Sequence, residues 1–128
     1  MITGVVNADY EAVIRLRVRG PTASEREVDA IIDTGFNGFL TLPPPLVAAL
    51  GLPRLSRGRA RLANGSEALF EIHSVTVLWN GQQRHVEADE MDTAPLVGMS
   101  LLAGYDLYVQ VAYNGSVIIR ASPQGTAR

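Results

Sequence analysis

The sequence predicts an all-β domain with one or two short helices, and three observations predict it. Apolar and polar residues alternate in short β-branched runs instead of recurring at helical spacing. Asn-Gly pairs at 37–38, 64–65, 80–81 and 114–115 mark turns of the kind that join antiparallel strands, because both residues tolerate positive φ. Proline at 43, 44 and 45 confines the central helical segment to a few residues. With 128 residues the chain holds one core of ordinary size, and 47% apolar against 19% charged residues is the balance of a globular protein rather than a disordered tail.

Residues 13–18 read as the first clear strand, with Val13, Leu16 and Val18 expected near one pleat. Residues 28–32 form a second and 39–42 a third, so the intervening Asp33-Thr34-Gly35-Phe36-Asn37-Gly38 has to turn. The helix is expected over 46–50: each residue followed by proline is driven out of α geometry, so it starts near Pro45, and Gly51 caps it. Residues 60–69 read as a hairpin turning at Asn64-Gly65. In the long strand that follows to Trp79, Phe70 and Ile72 share one parity and Val75, Val77 and Trp79 the other, which predicts a bulge near His73-Ser74. Residues 83–91 pair back on it. A second short helix over 99–103, a strand over 106–112 and a last arm over 116–120 complete an antiparallel domain spanning 1–121, with 122–128 as a flexible C-terminal tail.

Composition removes several function classes. A formal net charge of −2, with no basic cluster denser than Arg54, Arg57, Arg59 and Arg61, argues against a nucleic-acid partner. Zero cysteines exclude a disulfide scaffold, a thiolate zinc site and a cysteine nucleophile, and the lack of lysine excludes a Schiff-base or P-loop lysine. The longest apolar run, residues 46–50, is far below the roughly 20 residues of a membrane span, and residues 1–10 lack a basic start followed by an apolar stretch. A soluble, cytoplasmic protein with no membrane partner is expected. Oxygen and imidazole chemistry remain.

One constellation carries such chemistry. In Ala30-Ile31-Ile32-Asp33-Thr34-Gly35-Phe36 an acidic residue directly follows an apolar strand, and the glycine lets the backbone turn tightly, so the Asp33 carboxylate is presented from a rigid loop. Apolar-apolar-Asp-Thr-Gly before a second apolar strand resembles the active-site loop of the pepsin and retroviral protease superfamily. Two further segments agree, in the same order. The hairpin Ala60 to Leu69 resembles the flap that closes over substrate in retropepsin-like proteins, and Pro95-Leu96-Val97-Gly98-Met99-Ser100 resembles their late apolar-apolar-Gly motif leading into a helix. The continuation into Phe36 is similar to the small bacterial group known by its DTGF motif. The match departs from better-known members at Ser100, where they often carry Arg, Asn or Asp.

This resemblance to the retropepsin-like aspartic proteases implies a closed barrel with a flap, catalytic residues Asp33, Thr34 and Gly35, and substrate-binding flap residues Ala63, Asn64 and Gly65. It also implies no cofactor and a peptide or protein substrate. The chemistry needs two carboxylates about 3 Å apart sharing one proton. Asp92-Thr93-Ala94 is a poor second site, because Glu90-Met91 precedes it and alanine replaces the glycine. The dyad is therefore expected from Asp33 of two copies in a homodimer, with Thr34 bonding the partner subunit's loop. The interface is expected at residues 33–37 and, by resemblance alone, at the chain-terminal strands.

Plainer readings stand beside these. Asp33 and Thr34 are also ordinary turn formers, Asn64 and Gly65 ordinary hairpin formers, and Phe36 either a core residue or an aromatic at the dimer contact. His73 and His85 lack a third partner at ligand spacing, and Asp89, Glu90 and Asp92 lack the alternating oxygens and glycine of a calcium loop, so no metal is assigned. Trp79 is expected as a core or edge anchor. The expected function is an aspartic endopeptidase. The alternative is a non-catalytic dimerisation or peptide-binding module on the same fold.

Overall fold

The computed structural model describes residues 1–123. Of the tail expected over 122–128, residues 124–128 lie outside the described residues, while the Ser122 N–H donates to the Gly104 carbonyl at 3.0 Å. The strands are β1 (Ile2–Val6), β2 (Ala12–Arg19), β3 (Glu25–Ile32), β4 (Leu40–Leu42), β5 (Arg54–Arg61), β6 (Glu67–Trp79), β7 (Gln82–Glu90), β8 (Leu96–Val97), β9 (Tyr105–Val109) and β10 (Ser116–Ala121). Two short helices interrupt them, α1 (Pro44–Leu50) and α2 (Met99–Leu102).

Strand order is β5-β6-β7-β4-β8-β3-β2-β1-β10-β9, and a further β2–β6 pairing closes β6, β7, β4, β8, β3 and β2 into a six-stranded barrel. β5 pairs with the first part of β6 as a hairpin, and β1, β10 and β9 extend the sheet from β2. Both edges of β1 and of β10 are paired within the chain. The domain is not purely antiparallel: β3 runs parallel to β8 and β4 parallel to β7. No alternation pattern announces such pairings, because they join segments far apart in the chain.

The period-two patterning sets the core. In β2, Ile14, Leu16 and Val18 are buried while Arg15 and Arg17 are exposed, so Ile14, not Val13, shares the inward face. Outward, Arg15, Arg17 and Arg19 of β2 meet Asp29, Glu27 and Glu25 of β3 across the ladder. Exposed pairs of this kind contribute about 0–1 kcal/mol each and fix register as much as stability. Trp79 is a core residue, its ring edge-on to Tyr105 at 5.6 Å and 84°. All three residues of β4 are buried.

The helix α1 starts one residue earlier than the proline run predicts. Pro43 stays extended, with ψ of 153°, as the N-cap, and Pro44 and Pro45 fill the first turn, where a missing N–H costs nothing. Gly51 ends the helix in the left-handed region at φ +60°, as expected. Of the four Asn-Gly pairs, only Asn80-Gly81 has both residues at positive φ, joining β6 to β7. The irregularity expected in β6 near His73 instead lies in its partner: β5 slips register between Arg54 and Ser56, while β6 pairs with β7 without a break from Ile72 to Trp79. The parity change has another cause. Before Ile72, β6 leaves the barrel and becomes a hairpin arm, where Phe70 lies over Gly58 instead of facing the core.

Among the described residues, no helix is long and apolar enough to cross a membrane.

Candidate active site

Asp33 is the first residue after β3, whose last two residues pair with β8. That pairing continues into the loop, since the Asp33 N–H donates to the Val97 carbonyl at 2.9 Å. The loop then closes on itself: the Phe36 N–H donates to the Asp33 carbonyl at 3.1 Å, and the Gly35 N–H donates to Asp33 Oδ1 at 3.0 Å. The last bond orients the carboxylate through a charge-assisted contact. Asp33 is half-buried, with Thr34 and Gly35 exposed beside it.

What holds this loop is the β8–α2 segment, which lies between β3 and β4. Four consecutive carbonyls of the loop are taken by it. The Met99 N–H donates to the Phe36 carbonyl at 2.8 Å, Ser100 Oγ to that of Asn37 at 2.5 Å, the Ser100 N–H to that of Gly38 at 3.1 Å, and the Gly98 N–H to that of Phe39 at 3.0 Å. The backbones approach so closely that a Cβ on Gly98 would lie 2.1 Å from the Gly38 carbonyl oxygen. Phe36 packs over both glycines; its ring atoms lie 2.6 Å from where a Cβ would stand on either. Phe36 is thus half-buried packing for the loop. One strand further, the hydroxyl of Thr41, a residue only 1% exposed, accepts the Leu96 N–H at 2.9 Å.

Sequence reasoning flagged Gly98 and Ser100 but not their partners. Asn37-Gly38 reads locally as one more turn, and Thr41 as a member of an apolar run. Asp89, to which no role is assigned above, lies in β7, and its Oδ2 stands 3.6 Å from where a Cβ on Gly38 would be. Burial, followed by the nearby Glu87 charge, pushes the Asp89 carboxyl above the usual carboxylate range.

Ala63, Asn64 and Gly65 sit together at the exposed tip of the β5–β6 hairpin. There the Leu62 N–H donates to the Ser66 carbonyl at 2.8 Å, the Asn64 side chain accepts the Ser66 N–H at 3.0 Å, and Gly65 adopts φ +85°. No hydrogen bond among the described residues joins this tip to the Asp33 loop. The arms are tied by ion pairs of Arg54 and Arg57 with Glu71. The Arg54 hydrogen bond, the largest influence, outweighs the opposing effect of burial and, with a lesser contribution from Arg57, holds the Glu71 carboxyl below the usual range. At the hairpin's base, buried His73 bonds Glu90 Oε1 through Nε2 at 2.8 Å and the Leu52 carbonyl through Nδ1 at 3.3 Å. His85 is exposed, with its Nδ1 2.8 Å from the Thr76 hydroxyl. Asp92-Thr93-Ala94 is exposed between β7 and β8.

The sequence matches no protein-family model and no curated protein. Solved structures do match. The EIAV protease complexed with the inhibitor HBY-793 superposes with a TM-score of 0.54 at 13% identity, over 75% of this chain and 88% of that one. A retropepsin-like aspartic protease from Rickettsia conorii gives a TM-score of 0.55 at 14% identity, over 94% of this chain and 91% of that one. At such identity the likeness is one of fold, and it agrees with the closed barrel and its two short helices. This chain has the retropepsin-like fold.

Proposed function

We propose that this chain is an aspartic endopeptidase whose dyad is formed by Asp33 of two subunits. The observation that carries the reading is the Asp33 loop itself: a carboxylate oriented by the Gly35 N–H, on a turn whose next four carbonyls are tied to residues 98–100. A simple surface turn has no need of such fixation, whereas a catalytic carboxylate gains from being held in place before substrate arrives. The fold likeness to aspartic proteases supports the same reading.

Two carboxylates at hydrogen-bond distance share one proton, because both cannot ionise there. In the proposed reaction the ionised Asp33 takes a proton from water as the oxygen attacks the scissile carbonyl carbon, and the protonated Asp33 hydrogen-bonds the carbonyl oxygen. Collapse of the tetrahedral intermediate breaks the C–N bond. The amine leaves with a proton from the dyad, and the other product is a carboxylic acid. Thr34 and Gly35 complete the loop, while Ala63, Asn64 and Gly65 cover an extended peptide whose backbone pairs with strand edges. Asp33→Asn removes the base and the shareable proton at nearly constant volume. Peptide cleavage by the parent with none by Asp33→Asn, both equally folded by circular dichroism, is the expected result; equal cleavage by both reduces Asp33 to a turn residue.

A further inference from the structure

Among the described residues, His73 is the buried titratable side chain that the proposed reaction leaves unused. It stands where β6 changes role: from Ile72 to Trp79 the strand pairs with β7, and before Ile72 with β5 alone. The β5 ladder is interrupted at the same place, since its register slips between Arg54, the partner of His73, and Ser56. The root of the hairpin is held there by the Ser74 N–H, which donates to the Pro53 carbonyl at 2.9 Å, and by the His73 ring. That ring spans two segments. Nε2 meets Glu90 Oε1, at the end of β7, and Nδ1 meets the Leu52 carbonyl, just past α1.

A carbonyl only accepts hydrogen bonds, and so does an ionised carboxylate. The ring therefore makes both bonds together only with hydrogen on both nitrogens; the neutral ring keeps one and turns a lone pair on the other acceptor. We propose that His73 is a proton-operated latch: as the imidazolium it ties the hairpin root to β7 and to the α1–β5 connector, and loss of one ring proton releases one tie and loosens the hairpin. Because the charged form alone makes both bonds, the latch is closed at lower pH and opens as pH rises through the histidine range. Other charges nearby do not supply this step. β5 brings Arg54, which is committed to Glu71, and the Glu71 carboxyl, held below the usual range chiefly by that Arg54 bond, stays ionised throughout. β7 brings Asp89 as well as Glu90, but on the opposite face, since His73 pairs with Ala88 and Ile72 with Asp89. Neither α1 nor β4 carries a charged side chain. The latch stands independently of the dyad.

Hydrogen–deuterium exchange of the full chain, with rates corrected for the pH dependence of free-peptide exchange, tests the latch. Between about pH 5 and 8, where histidines change charge, protection of the amides of β5 and of residues 67–72 is expected to fall about tenfold, the scale of one lost hydrogen bond. The fall should coincide with titration of the His73 ring followed by NMR, and amides of residues 75–79, in the barrel, should show no such step. His73→Gln should abolish the step. Glu90→Gln separates a proton latch from a plain structural bond, and decides the matter where His73→Gln does not fold. Its amide donates as well as accepts, so it bonds either form of the ring and should keep the hairpin protected at the higher pH. Asp89→Asn should leave the step in place, as should Asp33→Asn, since exchange reads the hairpin whether or not the chain cleaves peptides. A parent equally protected at both ends of the range overturns the latch, as does a step that persists at the parent's size in Glu90→Gln. No step in the parent, with cleavage lost in Asp33→Asn, would sink the latch and leave the dyad standing. A step with the expected response to Glu90→Gln, and an Asp33→Asn chain that cleaves like the parent, would sink the dyad and leave the latch.

Discussion

Gly98 and Gly38 meet backbone to backbone, with a Cβ on Gly98 placed 2.1 Å from the Gly38 carbonyl oxygen and 2.6 Å from the Phe36 ring. The turn that carries Asp33 is therefore fixed by a residue at the end of the neighbouring strand β8, adjacent in the barrel though distant in sequence. Gly98→Ala forces main chain to move on one side or the other, and a destabilisation of roughly 3 kcal/mol is expected from overpacking against backbone. Urea denaturation of variant and parent measures it. A midpoint equal to the parent's would mean that the two segments separate freely.

Ser100 supplies the one side-chain bond in that lock, from its hydroxyl to the Asn37 carbonyl. Ser100→Ala is expected to cost about 1 kcal/mol, the scale of one intramolecular hydrogen bond. It should lower kcat more than it raises KM, since the loop it frees positions the carboxylate and not the distant parts of the substrate. Steady-state kinetics with a peptide substrate separate the two effects, and an unchanged kcat would show that the bond is irrelevant to catalysis.

At the hairpin tip, Gly65 adopts φ +85° with no atom within 4 Å of where a Cβ would stand. Space is ample; backbone conformation is the obstacle. Gly65→Val brings a β-branched residue to positive φ at a cost of about 1–3 kcal/mol, mostly local because the surrounding residues are exposed. Cleavage should fall while sedimentation still reports the parent's oligomeric state. Gly65→Asn, which tolerates positive φ, should retain most activity. Equal loss of cleavage and association in Gly65→Val would make the hairpin structural.

What the sequence discloses here is what short stretches of chain decide. The Asp33-Thr34-Gly35 turn, the hairpin at Asn64-Gly65 and the cap at Gly51 are set by φ preferences and alternation over a few residues, and each lies where those signals place it. The lock between residues 36–39 and 98–100 is invisible at that range. Ser100 and Asn37 are 63 positions apart, and nothing in Asn37-Gly38 distinguishes a clamped loop from a hairpin turn. The parallel β3–β8 and β4–β7 pairings are hidden for the same reason. The strand over 83–91 is legible too, but not that β7 draws the Asp89 carboxylate toward Gly38, a contact set by the β4–β7 pairing.

The raised Asp89 ionisation has a signed consequence. An acid whose folded-state pKa lies above its unfolded value favours folding in its protonated form, so its contribution is complete below the usual carboxylate range and is lost as pH rises through the raised value. Asp89→Asn mimics the protonated form. Its melting temperature should match the parent's at low pH and exceed it modestly at neutral pH, an increment kept small because the group is only partly buried. A difference that stays constant with pH would remove Asp89 ionisation from the stability of the native state.

The pairing of two Asp33 carboxylates is tested most directly by their separation in a crystal structure of the protein at mildly acid pH. Carboxyl oxygens about 3 Å apart across a twofold axis, close enough to share one proton, are expected. Copies whose Asp33 side chains lie beyond hydrogen-bond reach, on the order of 6 Å or more with no second carboxylate beside either, would contradict the dyad.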